Sequence, residues 1–302
     1  MVKVFALAKP MISLQMKFYG MTSQMIEIEA GTIIKMWVPC ALTKNNPKVS
    51  NKPAVMFLQG FATDGIFSWL SQVTAFSGEY SVFVPDLLFF GGSTTDKPDR
   101  SLEFQAECLV KALRKFGVEK CSVVGLSYGA TVGFKMAKLY PDLIDCVVGS
   151  GTVVHLTHST SQACLKRMGY SSWSQFLLPE SVKDLKAFLA MTNHKPPSMP
   201  DFVAKDFIKE FMVNRKERTE LLQAWVISDN ETASCNYSQK IHLLWGDDDK
   251  IFNSEIAENI KQQLGDKATL EFVKEAGHLV QNDQGAEYNN RVKKILSSLH
   301  KA

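Results

Sequence analysis

A serine, a carboxylate and an imidazole in the right order can carry acyl transfer, and this chain offers all three. Gly125-Leu126-Ser127-Tyr128-Gly129 follows Lys120-Cys121-Ser122-Val123-Val124, an apolar, β-branched stretch that reads as a buried strand. It precedes Ala130 to Tyr140, where Val132, Met136 and Leu139 recur at helical spacing before Pro141. Strand, G-x-S-x-G and helix make a nucleophile elbow, a turn so tight that glycines must flank the serine. The turn lifts Ser127 Oγ out of the sheet to where a base can reach it. A serine hydroxyl is a poor nucleophile until a base takes its proton and a carboxylate orients that base.

All six histidines follow the elbow, so position decides among them. His278, in Glu275-Ala276-Gly277-His278, comes after the last expected strand, at the carboxyl edge of the sheet. His242 begins a strand and so belongs to the opposite edge. His155, His158 and His194 fall in a strand-poor region, and His300 lies near the end of the chain. The acid should leave a neighbouring strand at the same edge, and Leu243-Leu244-Trp245-Gly246 is followed by Asp247, Asp248 and Asp249. Loop aspartates often cap helices or form Asx turns, which is the expectation for two of the three. Asp249 is the choice for the acid. Gly149-Ser150-Gly151-Thr152, after an earlier strand, offers no carboxylate. Acyl transfer also needs donors aimed at the developing oxyanion. The Tyr128 N–H, at the positive end of its helix, is one; the other should come from Gln59-Gly60-Phe61-Ala62.

The elements that must position these groups alternate along the chain. Met25 to Glu29 and Thr32 to Val38 read as a hairpin. Strands are expected at Ala54 to Gln59, Ser81 to Pro85, Asp145 to Ser150, Ile241 to Trp245 and Thr269 to Lys274, besides the elbow strand. Helices are expected at Ser68 to Phe76, Ser101 to Phe116, Ser254 to Leu264 and Gln284 to Leu299. Such alternation means a mostly parallel sheet, here eight-stranded, covered by helices on both faces. Between about Val153 and Tyr237 the rhythm breaks. Helical patterns at Ser181 to Leu189, Val203 to Val213 and Arg218 to Ile227, rich in aromatics and methionine, read as a helical lid that supplies no strands. The expected organisation is a hydrolytic core at 1–152 and 237–302 with the lid at 153–236.

Bulk properties fit one α/β unit with an insertion. The chain has 302 residues, 45% of them hydrophobic, and a net charge of +3 that is spread along it. Mixed-sign runs such as Arg215-Lys216-Glu217-Arg218 read as a solvated helix face, and no nucleic-acid partner is expected. Six cysteines show neither C-x-x-C nor metal spacing, and Cys108, Cys121 and Cys146 fall inside expected elements. Reduced thiols in a cytoplasmic protein are the expectation, with no metal and no cofactor. Met1 to Met21 is mildly apolar but broken by Lys3, Lys9, Pro10, Gln15 and Lys17. It reads as a surface helix, with peripheral membrane contact as the sharper alternative.

Several segments resemble the α/β-hydrolase superfamily, and most nearly its plant branch of lid-bearing serine hydrolases around the monoacylglycerol lipases. They are Tyr80 to Gly91, Pro98 to Ser101 with Phe104-Gln105-Ala106, Val123 to Gly129, Leu244-Trp245-Gly246 with Asp249 and Ile251-Phe252, and Ala276-Gly277-His278. The resemblance implies a Ser127–Asp249–His278 triad with Phe61 and Tyr128 as oxyanion donors. Three places depart from the family pattern. Its His-Gly-x-Gly reads Gln59-Gly60-Phe61-Ala62, its Gly-Asp-Ser reads Gly91-Gly92-Ser93, and the segment after the histidine reads Gln281-Asn282-Asp283-Gln284-Gly285. A retained triad with altered surroundings points to a specialised substrate. The expected activity is hydrolysis of an apolar or aromatic carboxylic ester through an acyl-enzyme. A serine at the elbow excludes the members of the superfamily that need an aspartate there, the epoxide hydrolases and haloalkane dehalogenases. A lyase or cyclising enzyme of specialised metabolism, or a small-molecule receptor with an intact triad, is the alternative.

Overall fold

A computed structural model describes residues 3–43, 52–231 and 235–299. Eight strands form its main sheet: β1 (Met21–Glu29), β2 (Thr32–Pro39), β3 (Ala54–Leu58), β4 (Ser81–Pro85), β5 (Cys121–Leu126), β6 (Ile144–Ser150), β7 (Lys240–Gly246) and β8 (Ala268–Val273). Their spatial order is β1-β2-β4-β3-β5-β6-β7-β8. β1 and β2 form the antiparallel hairpin, β2 meets β4 antiparallel, and every pairing from β4 to β8 is parallel. A ninth, two-residue strand, Thr94–Thr95, pairs with the start of β2. The expectation of eight strands missed it because it is held from outside. Ser93 Oγ donates to Asp86 O at 2.6 Å and accepts from Lys35 N at 2.9 Å, which turns the chain back along β2.

Burial on both faces explains the unbroken apolar strands. In β3, Met56 and Leu58 join one core layer and Val55 and Phe57 the other. The first layer is closed by α3 (Leu102–Arg114) and α4 (Tyr128–Leu139), through Leu109, Leu113, Val132 and Met136. The second is closed by α2 (Gly65–Phe76) and a long C-terminal helix, Gly285–Leu299, through Trp69, Phe76, Tyr288 and Leu296. The parallel register aligns Leu58 with Gly125, Gly125 with Gly149, and Gly149 with Leu243. The strand ends therefore reach one edge together, where loops from different strands meet.

The stretch between β6 and β7 folds as helices α5 (His158–Met168), α6 (Trp173–Leu177), α7 (Val182–Thr192), α8 (Asp201–Phe211) and α9 (Arg215–Trp225). Caps mark several starts: Thr157 for α5, Ser172 for α6, and Ser181 in a capping box with Asp184 for α7. One expectation needs correction, because the stretch does supply strand pairing. Leu156–Thr157 and Val226–Ile227 form a short parallel bridge where the chain leaves and re-enters. Helix α10 (Ser254–Leu264) and the short α11 (Val280–Asp283) follow β7 and β8, which makes the C-terminal helix α12. Ahead of β1, Met1 to Met21 contains helix α1 (Val4–Phe18), as a surface helix should. Among the described residues no helix is long and apolar enough to cross a membrane.

Candidate active site

Ser127 stands between β5 and α4 with φ 52° and ψ −124°, a left-handed backbone that L-residues rarely adopt. Both flanking glycines are required by contact. A Cβ on Gly125 would stand 2.5 Å from Ala130 Cα, and one on Gly129 would stand 2.2 Å from Gln59 O. The turn itself is pinned by hydrogen bonds. Ser127 N donates to Ser150 O at 2.8 Å, and Ser127 O accepts from Thr152 Oγ1 at 2.9 Å and Thr131 N at 3.1 Å.

His278 and Asp249 come together from the loops after β8 and β7. His278 Nδ1 lies 2.9 Å from Asp249 Oδ2, and both residues are buried. The other oxygen, Asp249 Oδ1, accepts from Ile251 N at 2.9 Å and Phe252 N at 3.0 Å, so the carboxylate cannot rotate away. Its neighbours do different work. Asp247 Oδ1 accepts weakly from Ala276 N at 3.4 Å, and Asp248 Oδ2 lies 3.1 Å from His194 Nδ1. Ser127 and His278 line one cavity, but no hydrogen bond joins them; in unliganded sites this contact often tightens only with substrate.

The loop after β3 lies against the elbow. Gly60 faces Ser127, and the Phe61 ring packs edge-on against Tyr128 at 5.2 Å and Phe90 at 5.0 Å. Gln59 is fully buried, and its Nε2 donates to Thr63 O at 2.7 Å, closing the loop on itself. Among the described residues neither Phe61 N nor Tyr128 N has an acceptor, so both N–H groups are free to meet an oxyanion. Below the loop, Asp64 caps α2 by accepting from Phe67 N at 2.9 Å. Its carboxyl is pushed up from 3.8 to about 6, first by burial and then by the Asp86 carboxylate.

The remaining histidines are elsewhere. His242 sits near the start of β7, where Nδ1 lies 2.8 Å from Thr269 Oγ1 and burial lowers its pKa. His155 lines a separate surface groove, His158 starts α5, and His300 lies outside the described residues. Sequence reasoning missed two contributions. Phe5, from α1, lines the cavity beside Ser127 although 122 positions separate them, and no local pattern signals such a contact. Asp283 Oδ2 accepts from both Gly277 N at 2.8 Å and His194 N at 2.9 Å, tying the end of α7 to the His278 loop. The cavity, about 220 Å³, is otherwise walled by Phe188, Leu189, Met199 and Phe207 from α7, α8 and their link. Its polar edge comes from Thr63, Ser68, Asn193 and Asn282.

Known proteins share this architecture. A family model described as alpha/beta hydrolase fold matches residues 53–284. Epoxide hydrolase 4 of Mus musculus is 24% identical over 264 residues, covering 77% of this chain and 70% of the relative. A membrane phospholipase A, described as a bacterial virulence factor, superposes with a TM-score of 0.80 at 16% identity, covering 98% of this chain and 92% of the other. A putative lipase from Acinetobacter baumannii AYE gives a TM-score of 0.79 at 18% identity, covering 97% and 96%. At such identities the superpositions speak for the fold alone.

Two outcomes follow from this geometry. Gly129→Ala should displace the Gln59–Thr63 loop, lowering stability by about 1–3 kcal/mol as overpacking does and moving the donors; unchanged melting and unchanged Ser127 labelling by a fluorophosphonate would contradict it. Asp64 tests the pH dependence. With its folded pKa above its unfolded value, the folded chain binds more protons between pH 3.8 and about 6. Asp64 therefore subtracts stability progressively as pH rises through that window. Asp64→Asn keeps an acceptor for Phe67 N and removes the titration, so its Tm should fall less across the window. Tm profiles that run parallel in the variant and the parent would refute it.

Proposed function

The chain belongs to the alpha/beta hydrolase fold family, and from that footing we propose that it is a serine hydrolase cleaving a compact, apolar carboxylic ester through an acyl-enzyme. The observation that carries this reading is the 2.9 Å Asp249–His278 pair sharing a cavity with a serine held in a left-handed elbow. Ser127 Oγ attacks the carbonyl carbon while His278 Nε2 takes its proton, and Asp249 holds Nδ1–H and stabilises the imidazolium. The tetrahedral oxyanion meets the N–H groups of Phe61 and Tyr128. Collapse expels the alcohol, which leaves with the proton from His278. A water, deprotonated by His278, then attacks the acyl carbon and releases the acid and Ser127.

The nucleophile argues against epoxide opening, although a relative carries that name. An epoxide opened by a carboxylate leaves an ester that water can cleave at the carbonyl. The same opening by Ser127 would leave an ether, which has no carbonyl for water to attack. A serine suits substrates that bring their own acyl carbon.

The helices α5–α9, in the segment 153–236, are read as a lid over a core formed by 1–152 and 237–302. The apolar wall selects by shape and area, and about 220 Å³ falls below the roughly 300–1,000 Å³ of ordinary ligand clefts. A short acyl group, or an aromatic one, suits that space better than a long chain. The motif resemblance to plant lid-bearing hydrolases near the monoacylglycerol lipases supports the ester, and the altered Gln59-Gly60-Phe61-Ala62 loop supports a specialised one. All six cysteines are free thiols, which supports a reducing, cytoplasmic setting.

A fluorophosphonate should label Ser127, located by peptide mass spectrometry; label elsewhere, or none on folded protein, defeats the proposal. Asp249→Asn should slow acylation by a factor of about 10⁴, as neutralising a triad acid does, while Asp247→Asn and Asp248→Asn change it far less. On an ester panel, long-chain glycerides should turn over poorly. Gln59→His combined with Ala62→Gly should raise that rate by giving the acyl oxygen room beside the donors. Fast monoacylglycerol hydrolysis by the unmodified chain would remove the specialised-loop reading while leaving the ester chemistry.

A further inference from the structure

Helix α1 is apolar on two opposite faces. At 100° per residue, Phe5, Ile12 and Met16 share one face. Phe5 and Met16 are buried, and Ile12 packs against the core. Leu7, Met11, Leu14 and Phe18 share the other face and are 67%, 73%, 71% and 85% exposed. Their spacing of four, three and four residues makes a stripe about 60° wide and about 16 Å long. Exposed apolar side chains scattered singly are ordinary. Four in line are not explained by folding, because the face that folding uses lies on the far side of the helix.

The charges that α1 itself carries have one sign. Residues 1–26 contain Lys3, Lys9 and Lys17 and no aspartate or glutamate. Lys9 pairs with Glu210 of α8. Lys3 and Lys17 are exposed at the two ends of the helix, Lys17 beside Phe18. Tyr19 and Met25, in the segment that follows the helix, are also exposed.

We propose that this face of α1 docks on an anionic lipid surface. Its aliphatic and aromatic side chains enter the acyl boundary, and Lys3 and Lys17 lie among the phosphates. A second copy of the chain fits less well. Antiparallel pairing of two stripes brings Lys3 of one copy toward Lys17 of the other, with no acidic side chain on either helix to offset them. The inner face gives the docking its consequence. Phe5 packs against Phe67, Phe207 and Phe211 and lines the cavity that holds Ser127. The catalytic cavity thus lies one helix, roughly 10 Å, from the bilayer.

The test is flotation of the purified full chain with vesicles of phosphatidylcholine alone, or of phosphatidylcholine and phosphatidylglycerol in equal parts. The chain should float with the mixed vesicles. Lys3→Gln with Lys17→Gln should weaken that binding roughly 25-fold, about fivefold per lysine. Met11→Glu with Leu14→Glu should weaken it at least about tenfold, with melting and fluorophosphonate labelling unchanged. No flotation of the parent chain with anionic vesicles overturns the proposal, as does binding that both double variants retain. A dimer that Met11→Glu with Leu14→Glu disperses, without vesicle binding by the parent, would assign the stripe to a second copy instead. Because the readout is vesicle binding, its failure leaves the ester reading untouched, and failed labelling leaves the docking untouched.

Discussion

The backbone of Ser127 is the constraint on which the rest of the site depends. A residue with a side chain held at φ 52° costs on the order of 1–3 kcal/mol and persists only where its surroundings leave no alternative. Here the alternatives are closed one by one. The carbonyl of Ser150, at the end of the adjacent strand, takes the serine's N–H, and Thr152 and Thr131 take its carbonyl. The glycines on either side let β3 and α4 approach to distances that no Cβ would permit. The same crowding that forces the turn brings the loop with Phe61 against it. The Ser127 turn and the Phe61 loop are therefore products of one packing problem.

Much of this was legible in the sequence because it is local. A β-branched run, a G-x-S-x-G and a helical period are neighbours in the chain, and β5 and α4 fall within two residues of their expected limits. The alternation of strands and helices gives the parallel sheet, and a parallel sheet sends its loops to one edge. Asp249, His278 and the Gln59–Ala62 segment then had few places to be. What was not legible is what depends on distant contact. The hydrophobic pattern of α1 foretells a surface helix but not that Phe5 reaches the cavity. Asp283 reads as a loop acid, and only the fold brings the backbone of His194 to it. The Thr94–Thr95 strand is too short to carry a period.

A buried charge holds the helical insertion to the body. Arg218 in α9 is fully buried, and burial pulls its pKa down to about 9. Nε donates to Phe89 O at 3.0 Å, the guanidinium lies 4.0 Å from the Phe90 ring centre, and a further N–H donates to Phe211 O. Asn214 Nδ2 adds a bond to the same Phe89 carbonyl at 3.0 Å. Phe89 itself is buried, has φ 70° and turns the chain after β4, and its carbonyl is what the insertion grips. Cutting Arg218 would leave the Phe211 carbonyl without this donor and the Phe89 carbonyl with Asn214 alone, in a dry setting where an unsatisfied acceptor costs about 1–3 kcal/mol.

The end of α7 is tied to the loops that bear Asp249 and His278. Leu279 N donates to Thr192 O at 2.9 Å, His194 N to Asp283 at 2.9 Å, and the His194 ring meets Asp248. A change at the end of α7 is therefore also a change at the loops that carry Asp249 and His278.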